Sequence, residues 1–220
     1  MSLLERFNSI KSKIPASVTL VAVSKTYPNE VIQEAYNLGQ RVFGENRVQE
    51  LTAKYEALPK DIAWHLIGHL QKNKVKFIAP FVKLIHAVDS LELLQTIENE
   101  GRKINRKIPC LIQIHIAQEE TKFGLNPGDV KTFFESTEVQ NLAFADIQGL
   151  MGMATFTDNL TQIGEEFETL AKLFEAIKST SKSYLPNFKQ LSMGMSGDYT
   201  IAIEKGSTMV RIGSALFGAR

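Results

Sequence analysis

The chain has 220 residues, 44% hydrophobic and 22% charged, and 25 basic side chains against 24 acidic ones leave a formal charge of +1. That balance describes an ordinary globular chain with enough length for a real core, and it excludes the strongly basic face of a dedicated nucleic-acid binder. A single cysteine, Cys110, excludes an intrachain disulfide or a Cys-rich metal cluster and fits a reducing cytoplasm, and no apolar run approaches the ~20 residues of a membrane span.

Leu3, Leu4, Phe7 and Ile10 fall at helical spacing, with Glu5 and Arg6 where a signal peptide would be apolar. The N-terminus therefore predicts an amphipathic helix packed on the domain. Thr19–Val23 reads as a first strand ending at Ser24 and Lys25, and Pro28 opens a helix to Leu38 stopped by Gly39. Arg41–Phe43 is a second strand, followed by Gly44-Glu45-Asn46 and a helix to about Leu58. Ala63–Ile67 is a third, before a Lys-rich helix ending ahead of Pro80; Val82–Val88 is a fourth, before Asp89-Ser90 and a helix closed by Gly101. Pro109–His115 is the fifth, with a helix from Pro127 to about Glu135, and Phe144–Met151 is the sixth, with a long helix over 160–178. Gln190–Met193 and Met209–Ile212 are the last two strands, with helices beginning near Ser196 and Ser214.

Eight alternating βα units predict a closed (β/α)8 TIM barrel of class α/β with an extra N-terminal helix, drawn as one domain over 1–220. The rival open sheet would carry a Gly-rich fingerprint after its first strand, and no GxGxxG stands there. In a barrel the active site lies where the strands end, which converts the strand reading into candidates. Lys25, Glu45, Asn46, His65, His69, Lys122, Gly124, Met151, Ser192, Ser196, Arg211, Gly213 and Ser214 all fall there.

Val21, Val23 and Lys25 share strand parity, so a lysine at an apolar barrel mouth is either a desolvated Schiff-base amine or a solvated side chain just beyond a strand. Ser192-Met-Gly-Met-Ser-Gly-Asp198 places a Gly-containing loop before a helix whose expected N-cap is Ser196, and Arg211-Ile-Gly-Ser214 repeats the arrangement. The loops after strands seven and eight are the common phosphate site of this barrel. Opposite a candidate Schiff-base lysine, they suggest a phosphorylated aldehyde, either pyridoxal 5'-phosphate (PLP) or a phosphosugar. Arg211, facing a pyridine nitrogen, would keep it unprotonated and the ring a poor electron sink; a structural ion pair would equally explain an arginine there. His65 and His69 lack the spacing and the further ligands of a metal site, the run Lys72, Lys74, Lys76 reads as a solvated helix face, and Cys110 as core.

Val21–Lys25, Phe43-Gly-Glu-Asn-Arg-Val-Gln-Glu50, Trp64–Lys74, His86-Ala-Val-Asp-Ser90, Gly149-Leu-Met151, Leu191–Ser196 and Gly206–Gly218 together resemble the PLP homeostasis protein family, in order and over nearly the whole chain. That family is similar in fold to the N-terminal barrel of alanine racemase. The resemblance implies PLP as cofactor, held as a Schiff base on Lys25, with Ser196, Gly213 and Ser214 on the phosphate and Arg211 at the pyridine nitrogen. It also implies that Asn46, Met151 and Ser192 line the pocket. The expected function is intracellular PLP homeostasis and amino-acid balance without significant turnover, with PLP-accepting apo-enzymes as candidate recipients, no nucleic acid or membrane partner, and a cytoplasmic monomer. The alternative is a small PLP-dependent amino-acid racemase. Racemisation needs an acid/base on each face of the substrate, and eight units ending at Arg220 leave no second domain to supply the opposing group. A lysine aldolase acting on phosphosugars is a third reading, with Glu45 as its acid/base.

Overall fold

Ser2 begins the first helix because its side chain accepts the Glu5 N–H while Glu5 accepts the Ser2 N–H, a reciprocal capping box. Leu3, Phe7 and Ile10 make the buried stripe of this helix, α1 (Leu3–Lys11), and Leu4 faces solvent. Arg6 donates to Leu216 O and Phe217 O, tying α1 to the last helix of the chain. The computed structural model describes residues 1–119 and 123–218; the candidate Lys122 lies outside the described residues.

Strands β1 (Thr19–Val23), β2 (Val42–Glu45), β3 (Ala63–Leu66), β4 (Leu84–Val88), β5 (Ile108–Ile114), β6 (Ala145–Gly152), β7 (Gln190–Ser192) and β8 (Met209–Ile212) pair in parallel in chain order. Pairing of β8 with β1 closes the ring. The intervening helices are α2 (Asn29–Asn37), α3 (Val48–Ala57), α4 (Val75–Ile78), α5 (Leu91–Lys103), α6 (Val130–Glu135), α7 (Thr137–Gln140), α8 (Leu160–Thr180), α9 (Tyr199–Glu204) and α10 (Ser214–Phe217). This is the (β/α)8 barrel with an added N-terminal helix that the strand count predicts. No helix among the described residues is long and apolar enough to cross a membrane.

Three local expectations are corrected. Gly101 does not close α5; it lies inside it, where a Cβ would stand 2.8 Å from both Arg106 O and Phe144 Cβ, so the glycine serves close helix–strand approach. The helix runs on to Lys103, and the chain then turns at Asn105 with φ +50°. The Lys-rich segment is only a 3₁₀ turn over Lys72–Lys74 followed by one turn of α4. The helix expected from Pro127 to about Glu135 opens as a 3₁₀ turn over Pro127–Asp129, and after α6 Ser136 caps a further short helix, α7.

The main core fills the space between sheet and helices, with Phe43, Trp64, Leu94, Ile97, Phe167 and Leu170 fully buried there. A smaller cluster of Val21, Leu84, Ala87, Leu111, Met151 and Met209 fills the barrel itself. Cys110 is buried as expected. Burial raises the Cys110 thiol far above its usual range, aided by nearby Asp146.

Candidate functional site

Ring closure makes β8 a neighbour of β1, so the last strand's loop adjoins the first strand's end instead of standing across from it. Val21 is level with Arg211, and a Cβ on Gly213 would lie 3.3 Å from Val23 Cβ and Val23 O. Lys25, two residues past Val23, is half-buried. Its amine has no hydrogen-bond or ion-pair partner among the described residues. Val21 belongs to the barrel interior, the face that strand parity assigns to Lys25 as well.

Ser196 is not the N-cap of the following helix. That position is Asp198, whose carboxylate accepts the Met195 N–H at 2.5 Å and tightens the turn. The chain reverses at Gly194 with φ +96°, where a Cβ would meet Ala202 Cβ at 2.5 Å, so α9 begins two residues later than a Ser196 cap would allow. Freed from capping, Ser196 Oγ accepts the N–H groups of Gly213 (3.3 Å) and Ala215 (3.4 Å) and staples the β7 loop to the β8 loop. The backbone N–H groups of Ser196, Gly197 and Ser214 have no acceptor among the described residues. Three free donors and a hydroxyl on small, solvent-reached residues are chemically suited to an anion.

Inside the barrel a polar chain crosses from β8 to β3. Arg211 Nη1 donates to Ser192 Oγ at 2.6 Å, and Nη2 donates to Gly152 O at 3.0 Å. Ser192 Oγ lies 3.0 Å from His86 Nδ1, and His86 Nε2 lies 2.9 Å from His65 Nδ1. All four side chains are buried. Burial lowers His65 to about 3, with a further push from Lys83, and lowers His86 well below its usual value, with His65 and Arg211 adding to it. Both rings are therefore neutral at pH 7. Burial also lowers Arg211 to about 10, partly offset by Asp198, which still leaves it charged. Since a guanidinium only donates, Ser192 accepts from it; the hydroxyl proton then points to His86 Nδ1, and the His86 Nε2–H to His65 Nδ1. This tautomer order is assigned from the donor inventory.

Met151 is fully buried inside the barrel, level with Ser192. Asn46 follows β2 half-buried, with Gly68 so close that a Cβ there would stand 2.5 Å from Asn46 O. Arg211, Ser192, Met151, Gly213, Ser214 and Ser196 thus gather around one barrel end beside Lys25, with Asn46 on the adjacent loop after β2. Among the described residues no group of three or more His, Cys, Asp or Glu side chains could hold a metal. Sequence reasoning missed His86 as a site residue, although its strand-interior position was the available signal. Glu45 points into the layer between sheet and helices, where Ser24 and Lys54 bind it, and not into the mouth as an aldolase base would.

Residues 2–220 match the family described as alanine racemase, N-terminal domain. A pyridoxal phosphate homeostasis protein of Aquifex aeolicus is 43% identical over 203 residues, covering 91% of this chain and 86% of that protein. The human protein of the same name is 40% identical over 214 residues, 91% of this chain and 76% of its own. Among solved structures, PipY of Synechococcus elongatus superposes with TM-scores of 0.90 without PLP and 0.86 with PLP bound. Each PipY structure is 34% identical, over 99% of this chain and all of the other. An alanine racemase of Clostridium difficile, at 15% identity and TM-score 0.73, shares the fold over 99% of this chain and 56% of its own.

Proposed function

The chain belongs to the pyridoxal phosphate homeostasis protein family, and from that premise we propose that it binds PLP at the barrel mouth and serves intracellular PLP homeostasis, holding the cofactor as a Schiff base on Lys25 without significant turnover. The observation that carries the reading is the register of β1 against β8, which brings Lys25, Arg211 and the Gly213–Ser214 turn to one end of two adjacent strands.

The residues present fit the group. PLP supplies an aldehyde for an amine, a phosphate dianion, and a pyridine ring that stabilises carbanions well only when its nitrogen is protonated. The free N–H groups of Ser196, Gly197 and Ser214, with the Ser196 hydroxyl, match the phosphate. No carboxylate among the described residues ties up the Lys25 amine, which is the group that would hold the PLP aldehyde. Arg211 is fixed by Ser192 and Gly152 O, and as a guanidinium it would donate to a ring nitrogen without giving up a proton. That arrangement suppresses carbanion chemistry and favours holding over turnover. Met151, Ser192 and Asn46 would line the pocket. Handing PLP to apo-enzymes in a reducing cytoplasm is the role we assign.

The test is the visible spectrum of purified protein with PLP, in wild type and Lys25→Ala, followed by racemisation and α-deuterium exchange assays on a panel of amino acids. We expect an imine band in the wild type, its loss in Lys25→Ala, and neither racemisation nor exchange. Absence of the band from the wild type would overturn the binding reading, and efficient racemisation would replace the carrier with an enzyme.

A further inference from the structure

Lys25 sits between two residues that are both anchored to a single ionic cluster outside the barrel wall. Ser24 Oγ donates to Glu45 Oε1 at 2.6 Å, and the Thr26 N–H donates to Glu50 Oε1 at 2.5 Å. Lys54, on α3, joins the two anchors: its Nζ donates to Ser24 O (2.8 Å), Glu45 Oε1 (2.8 Å) and Glu50 Oε1 (2.6 Å), which uses all three ammonium protons. Lys54 is 5% exposed and Glu45 is fully buried.

Two features of this cluster are poor choices for stability alone. Thr26 holds φ +66°, a left-handed conformation unfavourable for a β-branched residue and maintained only when its surroundings over-determine it. Glu45 Oε2 is buried with no hydrogen-bond partner, so the carboxylate is desolvated while half of its acceptor capacity goes unused. A well-packed apolar pair would hold α3 against the sheet at least as well as a buried ion pair. What an apolar pair would lack is a grip on Ser24 O and the Thr26 N–H.

We propose that Lys54, with Glu45 and Glu50, is a positioning group for Lys25, clamping the backbone on both sides of it so that the strained turn delivers the amine to the barrel mouth. The proposal rests on the reading of Lys25 as the residue that takes PLP. The cluster touches neither the mouth nor the cofactor; it acts through the backbone of residues 24 and 26. Preorganising a nucleophile in this way raises its effective concentration at the electrophile, because fewer turn conformations compete with the productive one.

The experiment compares Glu50→Ala, Glu50→Gln, Lys54→Met and a control, Glu98→Gln, which alters the ion pair of buried Glu98 with exposed Arg102 within α5. Glu50 is partly exposed, so its variants keep the buried Glu45–Lys54 pair and fold even if Lys54→Met does not. Amide hydrogen exchange reads the clamp without any cofactor. Added PLP, borohydride reduction and peptide mass analysis read capture at Lys25. In Glu50→Ala we expect Thr26 amide exchange about tenfold faster or more, and the PLP concentration for half-capture raised about fivefold or more. Glu50→Gln, which retains a carbonyl acceptor, restores most of both, and Glu98→Gln changes neither. Unchanged exchange in Glu50→Ala overturns the clamp. Faster exchange with unaltered capture reduces the cluster to a structural role and overturns the positioning. Wild-type protein that captures no PLP at Lys25 overturns the binding reading, and with it the purpose assigned to the clamp, while the exchange result still tells whether the clamp itself exists.

Discussion

Acidification from pH 7 to pH 5 should strip stability from this barrel through two specific side chains. His65 and His86 are both neutral in the fold because burial opposes their charge, and each is already engaged in the chain to Ser192. In the unfolded chain each titrates near 6.5, so below that value the unfolded state binds protons that the folded state refuses. The folded pKa is the depressed one, so the stabilisation is complete above about 6.5 and is lost as the pH falls toward the folded value. At pH 5 the protonation free energy of an unfolded histidine of pKa ~6.5 is about 2 kcal/mol, against about 0.2 kcal/mol at pH 7. His65 alone therefore gives a loss of about 2 kcal/mol, and His86, lowered in the same direction, adds to it, against the 5–15 kcal/mol typical of a domain. Urea unfolding at several pH values measures it, on wild type and on the double variant His65→Phe/His86→Leu. The variant starts less stable because Ser192 loses a partner, yet its stability should change far less between pH 7 and pH 5. A wild-type loss under about 1 kcal/mol, or an equal slope in the variant, would refute the assignment of two neutral histidines.

Four further outcomes follow from single contacts. Ser192→Ala removes the shared acceptor and donor of the buried chain and leaves an Arg211 N–H and His86 Nδ1 unpaired; urea unfolding should show a loss of about 2–5 kcal/mol. Glu98 accepts the N–H groups of Ala143, Phe144 and Ala145 at the start of β6, and these bonds with Arg102 outweigh burial and hold its carboxyl below the usual range. Its stabilisation is present above the unfolded value of ~4.5 and is lost as pH falls through the lower folded one, so Glu98→Ala should cost about 3 kcal/mol at pH 7 and less in acid. Gly149→Ala would put a Cβ 1.7 Å from Gln190 O across the β6–β7 pairing, and circular dichroism should report a misfolded or strongly destabilised barrel. Cys110, buried and with its thiol raised by burial, should stay unmodified by a thiol reagent in the native state and react once denaturant is added.

The barrel was legible because its strands are continuous apolar runs separated by helical spacing, a pattern that burial on both faces of a parallel sheet imposes. Lys25 and Arg211 could be found because strand parity and strand ends are readable from local sequence. Ser196 shows where local reading stops: Ser before Gly-Asp and a helix looks like a cap, but Asp198 takes that place and Ser196 reaches a loop seventeen positions away. His86 and Lys54 were missed for the same physical reason. Their partners, Ser192 and Ser24, lie 106 and 30 positions away, and only closure of the ring and docking of α3 bring them together.

The barrel wall also separates two kinds of support for the mouth. The chain Arg211–Ser192–His86–His65 runs inside the ring, where it fixes the direction in which a guanidinium donates. The cluster Glu45–Lys54–Glu50 lies between the sheet and α3, where it fixes the backbone around Lys25. No side chain belongs to both, so the two should respond independently to mutation. Combining Ser192→Ala with Glu50→Ala should give a stability loss equal to the sum of the single losses within about 0.5 kcal/mol. Their effects on PLP should differ in kind: the inner variant alters the spectrum of bound cofactor through the ring nitrogen, and the outer one alters how readily Lys25 is captured. A clear non-additivity in unfolding would mean that the wall transmits strain between the two networks, and the division of labour argued from their separate partners would fall.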